Sequence, residues 1–176
     1  MGDGNVSNII EMIPLVGIKM EKKSINLLDS REKVKLVLGR PYGVHKNSYY
    51  YFNNELRIDF NKQGLVEFIE ILSGVDGKIQ PKIYGVKAFQ IEANVLYEIL
   101  KNENSDEIDD SENGYSYSFL NTSVGIYREI TPEDVEEMIE DAKEEGEPMD
   151  SQDIEYEIKK ATHWDTIGIG VKDYYR

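Results

Sequence analysis

The sequence predicts an α+β fold in which an antiparallel β-sheet carries helices, and three observations predict it. A block at 48–72, SYYYFNNELRIDFNKQGLVEFIEIL, reads as three consecutive strands joined by tight turns. A looser copy of the same strand, turn and strand pattern returns further on as GYSYSFLNTSVGIYREI. Each block follows a stretch with helical spacing, Val34, Val37 and Leu38 before the first and Val95, Leu96, Ile99 and Leu100 before the second.

Residues 1–8 are small and polar and are expected to form a flexible tail. The run 9–20, IIEMIPLVGIKM, is β-prone but contains Pro14, which cannot donate a ladder hydrogen bond, so an edge or bulge position is expected. Lys22 and Lys23 then mark a solvated connection. Asp29 and Glu32 stand at capping-box spacing before a short helix, and Gly39 followed by Pro41 ends it. A helix this brief needs a sheet to rest on. In the strand block, 49–52 is aromatic, and Asn53-Asn54 supplies two residues that tolerate a positive φ in a hairpin turn. Leu56, Ile58 and Phe60 alternate with Arg57 and Asp59, the period of a strand with one buried and one wet face. The turn Asn61-Lys62-Gln63-Gly64 leads to 65–72, whose apolar residues fall on both faces and predict a strand inside the sheet.

The stretch SGVDGKIQP after Leu72 carries two Gly and a Pro and separates the halves. It divides the chain into a first unit at 9–72, a connector at 73–80 and a second unit at 81–176, all within one domain. The segment 81–89, PKIYGVKAF, is similar to 14–20, PLVGIKM. Beyond the second helix pattern, Tyr115, Tyr117 and Phe119 alternate with serines, Asn121-Thr122 forms a turn, and a strand with Val124 and Ile126 returns. Gly17 and Gly85 lie 68 apart and Phe52 and Phe119 67 apart, so the chain reads as two tandem β-α-β-β-β-like units.

The second unit departs where its third strand is due, with an acidic insertion at 129–160. Its helix, TPEDVEEMIEDAKEEG, has Thr131 as N-cap, Pro132 at the first helical position, Asp134 three residues past the cap and Gly146 as stop. The apolar stripe of Val135, Met138, Ile139 and Ala142 is narrow, so one side docks while the rest stays in water. A second short helix is expected around 154–160, and the missing strand at 164–171, where Ile167, Ile169 and Val171 alternate with Thr166, Gly168 and Gly170.

The charge is as uneven as the pattern. Between 101 and 157, 20 Asp and Glu stand against three Lys and Arg, a net of −17 in a chain whose total is −14. Such a surface repels nucleic acid and steers a basic protein towards it. No apolar run approaches the ~20 residues that span a bilayer, and the N-terminus lacks a signal-peptide pattern, so a cytoplasmic location without membrane association is expected. Val6 stands where myristoylation needs Ser or Thr. The absence of cysteine removes the thiolate nucleophile, the disulfide framework and the cysteine metal cage.

Few residues carry the marks of chemistry. His45 and His163, the two histidines, have no partner at metal or triad spacing. The run 106–113, DEIDDSEN, is dense in oxygen donors but lacks the order and closing Glu of a calcium loop, so it reads as a flexible acidic loop between helix and strand. No glycine-rich phosphate loop links a strand to a helix. No cofactor and no metal are therefore expected. The tyrosines are candidates for a different task. Tyr49, Tyr50 and Tyr51 occupy both faces of one strand, while Tyr115 and Tyr117 share one face, where they either pack across the sheet or anchor a partner.

With LGRP at 38–41 closing a helix ahead of YYYFNNELRIDFNKQGLVEFI at 49–69, the chain resembles tandem repeats of β-lactamase-inhibitor-protein-like domains. The second unit, from about 81 to 171, is a diverged match without an LGRP-like helix end. The resemblance implies a curved antiparallel sheet with helices on one face, and binding through the sheet's exposed face. It extends to the small acidic immunity proteins that neutralise cognate toxins in bacterial competition, and so implies a non-enzymatic inhibitor, monomeric or weakly dimeric. The partner expected is a basic toxin domain such as a nuclease, whose active site must itself be positive to hold phosphates. The residues singled out for binding are Asp106, Asp109 and Asp110 in the loop, Tyr115 and Tyr117 on the strand, and Glu133, Glu136, Glu137, Glu140 and Glu144 on the inserted helix. Two other readings remain: a scaffolding or assembly module, which calls for an apolar or aromatic patch, and a carboxylate-dependent hydrolase, which calls for a pocket joining a carboxylate to His45 or His163.

Overall fold

The computed structural model describes residues 8–176, so apart from Asn8 the expected tail lies outside the described residues. The fold is α+β, with four helices and two sheets dominated by antiparallel pairs among those residues. The sequence does not say whether its two units share one continuous sheet, and the strands divide between two. β1 (Ile9–Ile13), β2 (Gly17–Met20) and β3 (Lys23–Asn26) belong to a separate five-stranded sheet. β1 lies at its centre, antiparallel to β2 and parallel to a later strand. Pro14 sits neither on an edge nor in a bulge but in the turn between β1 and β2, where its missing N–H costs nothing. The expected solvated connection at Lys22 and Lys23 is a hairpin turn into β3.

α1 (Arg31–Leu38) has its N-cap one residue later than the capping-box spacing of Asp29 and Glu32 suggests. Ser30 is the N-cap, its Oγ accepting from the Lys33 amide at 3.1 Å, while Asp29 accepts from the amide of Asn26 at 2.8 Å in the preceding turn. The helix ends at Gly39, whose φ of 81° is the left-handed geometry that glycine tolerates. An unexpected short strand, β4 (Gly43–His45), then precedes β5 (Ser48–Tyr51), β6 (Leu56–Phe60) and β7 (Val66–Ile71). Asn53 and Asn54 both have positive φ in the β5–β6 turn, as the sequence requires.

β8 (Gln80–Ile83) and β9 (Val86–Lys87) complete the five-stranded sheet, β8 pairing with β1. α2 (Ala93–Asn104) follows, then β10 (Ile108–Asp109), β11 (Ser116–Phe119) and β12 (Val124–Tyr127). α3 (Pro132–Glu144) and α4 (Ser151–Ala161) form the insertion, and β13 (Thr166–Gly170) returns to the sheet. The order in this eight-stranded sheet is β10-β11-β12-β13-β7-β6-β5-β4. Its middle is the antiparallel β7–β13 pair, with Ile69 opposite Ile169.

Period-two alternation gives the eight-stranded sheet two unlike faces. Leu56, Ile58, Phe60, Ile69, Ile71, Val124, Ile126, Ile167 and Ile169 point into one hydrophobic core, which also takes Val34 of α1, Leu96 and Leu100 of α2, and Ile10, Met12 and Ile83 of the five-stranded sheet. The opposite face carries Arg57, Asp59, Phe68, Glu70, Gly125, Gly168 and Gly170. No helix among the described residues is long and apolar enough to cross a membrane.

Candidate functional site

The acidic insertion is anchored at both ends. At its start, Thr131 and Asp134 form a reciprocal capping box: Thr131 Oγ1 accepts from the Asp134 amide at 3.3 Å and Asp134 Oδ2 accepts from the Thr131 amide at 2.9 Å. The Tyr115 hydroxyl also reaches Asp134, 2.8 Å from Oδ1 and 2.6 Å from Oδ2. These bonds, Tyr115 first, hold the Asp134 carboxyl below the usual aspartate range. At the far end, Arg128 Nη1 donates to the Ala161 carbonyl at 2.7 Å and Nε to that of Gly114 at 2.8 Å, with the guanidinium 4.8 Å from the centre of the Trp164 ring. Trp164 Nε1 in turn donates to the Ala93 carbonyl at 2.9 Å and ties the return of the chain to the start of α2.

Between these anchors α3 buries only Val135 and turns its acids to water. Glu133, Glu136, Glu137, Glu140 and Glu144 are all exposed. The neighbouring face, one helical step round, holds a shallow groove of about 530 Å³ in which Met138, Ala142 and Met149 are flanked by Asp134, Glu137, Asp141 and Glu145. Of the five glutamates picked from the sequence only Glu137 lines it. Residues 134, 137, 138, 141, 142 and 145 follow the three-and-four spacing of one helix face, so the groove has a signature in the sequence that a count of acids alone passes over.

The loop acids behave differently. Asp106, Asp109 and Asp110 are exposed. The expected flexible loop contains β10, paired with β11 through Ile108 opposite Phe119 and Asp109 opposite Ser118. It is locked from below by Asn104, which is fully buried at the end of α2. Asn104 Nδ2 donates to the carbonyls of Asp106 and Glu107 at 3.0 and 3.2 Å, and Oδ1 accepts from the amides of Asn121 and Thr122 at 2.9 and 3.1 Å. Asp109 accepts from the Ser111 amide at 3.0 Å, and bonding to Ser111 draws its carboxyl below the ordinary range. Asp106 meets Arg176 at 3.4 Å.

The two tyrosines chosen as anchors are engaged within the fold. Tyr117 packs against Tyr97 with ring centres 4.7 Å apart and stands edge-on to Trp164 at 5.8 Å, against the core, and Tyr115 is bonded to Asp134. Aromatic rings on the other face of the sheet, which the sequence leaves unassigned, are Phe68, Tyr174 and Tyr175. Tyr174 stacks on Phe68 at 4.6 Å and 8°, and Tyr175 meets the same ring edge-on at 6.1 Å. They fit because Gly125 and Gly170 leave room: a β-carbon on the first would strike the Tyr175 hydroxyl, and one on the second the Tyr174 ring. Burial pushes the Tyr175 hydroxyl up.

Beside these rings Arg57 pairs with Asp59 at 2.9 Å and Glu70 at 3.3 Å, its guanidinium 5.6 Å from the centre of the Phe68 ring. Burial raises the Glu70 carboxyl above its ordinary value, and the neighbouring Arg57 charge opposes that rise. The histidines lie apart from this cluster: His45 ends β4 and is exposed, and His163 Nδ1 lies 2.7 Å from the Lys159 carbonyl at the end of α4. Among the described residues no three His, Asp or Glu side chains come together to hold a metal ion. Compared with protein-family models, with curated proteins and with solved structures, the chain matches none.

Proposed function

We propose that this chain is a non-enzymatic protein-binding inhibitor, an immunity protein that neutralises a basic cognate toxin such as a nuclease in the cytoplasm. The observation that carries the reading is the presentation of α3. Its carboxylates are exposed on a helix pinned by Thr131, Asp134 and Tyr115 rather than dispersed in a mobile segment, and they border a groove with a methionine floor. Fixed acids accelerate the encounter with a cationic surface, and Met138 and Met149 offer adaptable apolar contact once water is displaced. Met138, 38% exposed, is available for such contact.

The same reading treats the chain as two tandem units laid out as in inhibitor-like repeats. The mirrored strand order about the β7–β13 pair supports it, as does the run of hairpin, helix and four strands common to both units, to which the first adds β3 and the second adds α3 and α4. Scaffolding is the second reading, favoured by Tyr156 and Ile158, large apolar side chains left exposed on α4. The two are separated by capture from a panel of toxin catalytic domains at low and high salt. Inhibition of one basic nuclease, lost at high salt and lost when Glu137, Asp141 and Glu145 are changed to Lys, supports the immunity reading. Salt-resistant capture that survives those changes and fails in Tyr156→Ser/Ile158→Ser supports scaffolding.

A further inference from the structure

At the β4 end of the eight-stranded sheet the hydrophobic layer is left unfinished. The two ends of the sheet differ in this respect. At the β10 end, Ile108 is half-buried against the core. At the β4 end, Val44, which stands opposite Tyr49 in the register, is 63% exposed, and Tyr42 just before the strand is 66% exposed. The helices of the two units differ in length as well. At about 1.5 Å per residue, the eight residues of α1 extend roughly 12 Å and the twelve of α2 roughly 18 Å. α1 stops at Gly39, whose carbonyl accepts from the Tyr51 hydroxyl at 3.1 Å, and the chain turns away at Pro41.

A groove of about 650 Å³ remains between the end of α1 and β4, lined by Lys35, Arg40, Pro41, Tyr42 and Val44 with the backbone of Gly39 and Gly43. Among the described residues β4 is the outermost strand, with no neighbour on its far side. Such an edge offers unpaired backbone groups to an added strand. Among the described residues the charged side chains that line the groove, Lys35 and Arg40, are both cations. Lys35 lies 5.4 Å from the centre of the Tyr49 ring. The ion pairs among the described residues involve Arg57, Lys159 and Arg176, so neither Lys35 nor Arg40 is neutralised by one.

The charge chooses the occupant. A second copy docked by the same edge would bring the same cationic groove to both sides of the contact, and like charges juxtaposed at an interface repel. Nucleic acid has no extended peptide backbone to pair with the open edge of β4, whereas a protein segment does. We propose that β4 receives an extended acidic segment of a protein partner as a ninth strand, its carboxylates against Lys35 and Arg40 and its alternate apolar side chains over Tyr42 and Val44. Main-chain bonds supply affinity and the alternating side chains supply specificity. This surface lies at the opposite end of the sheet from β10 and is independent of the groove on α3.

The test titrates the isotope-labelled chain with two blocked hexapeptides, one alternating Glu and Val and the other alternating Lys and Val. The acidic peptide is expected to move the amide signals of residues 35–46 to saturation, with the basic peptide at least about tenfold weaker. Lys35→Glu/Arg40→Glu, which alters only exposed side chains, is expected to reverse that preference without changing the circular dichroism. Three results overturn the proposal: no movement of the 42–46 signals, equal response to the two peptides, or movement that grows with protein concentration alone. The last would mean that the edge pairs head to tail with β10 of another copy.

Discussion

Tyr115 and Asp134, 19 residues apart, join the start of β11 to the first turn of α3 through a hydroxyl that lies within 2.8 Å of both carboxylate oxygens. The same carboxylate accepts the Thr131 amide and so completes the helix cap. One side chain therefore both starts the acidic helix and orients it on the sheet. The acids that follow are presented at a fixed angle because of it.

Tyr115→Phe is expected to raise hydrogen exchange in the first turn of α3 while leaving the protection of β6 and β7 unchanged. The pH dependence has a definite sign. Because the Asp134 carboxyl is held below its ordinary value of 3.8, its contribution is complete above that value and is lost as the pH falls through the lower folded value. In Tyr115→Phe that folded value moves back towards 3.8, so α3 loses protection at a higher pH than in the parent. Identical acid profiles for the two proteins would contradict the assignment.

Asn104→Ala removes a buried hub and strands the amides of Asn121 and Thr122 and the carbonyls of Asp106 and Glu107. A loss of roughly 2 to 4 kcal/mol in urea unfolding is expected, since unpaired buried groups carry their full desolvation cost. Asn104→Asp keeps the acceptor and loses the donors, and it adds a charge where acids already crowd, so it is expected to be no milder. A loss under about 0.5 kcal/mol, the range of ordinary surface changes, would show that the hub is dispensable.

Much of this arrangement is legible in the sequence where a single residue type has one physical use. Thr131, Pro132 and Asp134 announce the start of α3, Gly39 the end of α1, and Asn53-Asn54 the hairpin turn, because each satisfies a backbone requirement that few other residues meet. The return of β13 after the insertion is readable from Ile167 and Ile169, which alternate with glycines. β3, β4 and β10 are not readable, because four, three and two residues carry too little periodicity and their pairing is decided by the neighbouring strand. Asp29 and Ser30 both suit a cap, and only the geometry of the preceding turn chooses between them. The groove on α3 was hidden by the abundance of acids, which flank its apolar stripe, and the position of Met149 beyond the helix depends on the turn into α4.

On the open face of the sheet, Gly125→Ala is expected to cost about 1 to 3 kcal/mol, because the added methyl displaces the Tyr175 hydroxyl from a filled space. In a Tyr175→Ala background the same change is expected to cost less than about 0.5 kcal/mol, the two sites being coupled through contact. Equal costs in both backgrounds would mean that the Tyr175 ring does not occupy this place in solution. Thermal unfolding of the four proteins of the cycle measures it.

The central claim is that the fixed carboxylates of α3 capture a basic toxin. Its most direct test is the affinity for a captured basic nuclease domain at about 0.05 M and about 0.5 M salt, measured for the parent and for Glu137→Lys/Asp141→Lys/Glu145→Lys. The account predicts a steep loss of parent affinity with salt, and at low salt a loss of at least about a hundredfold in the variant through faster dissociation as well as slower association. Affinity that is indifferent to both the salt and the three substitutions would contradict it.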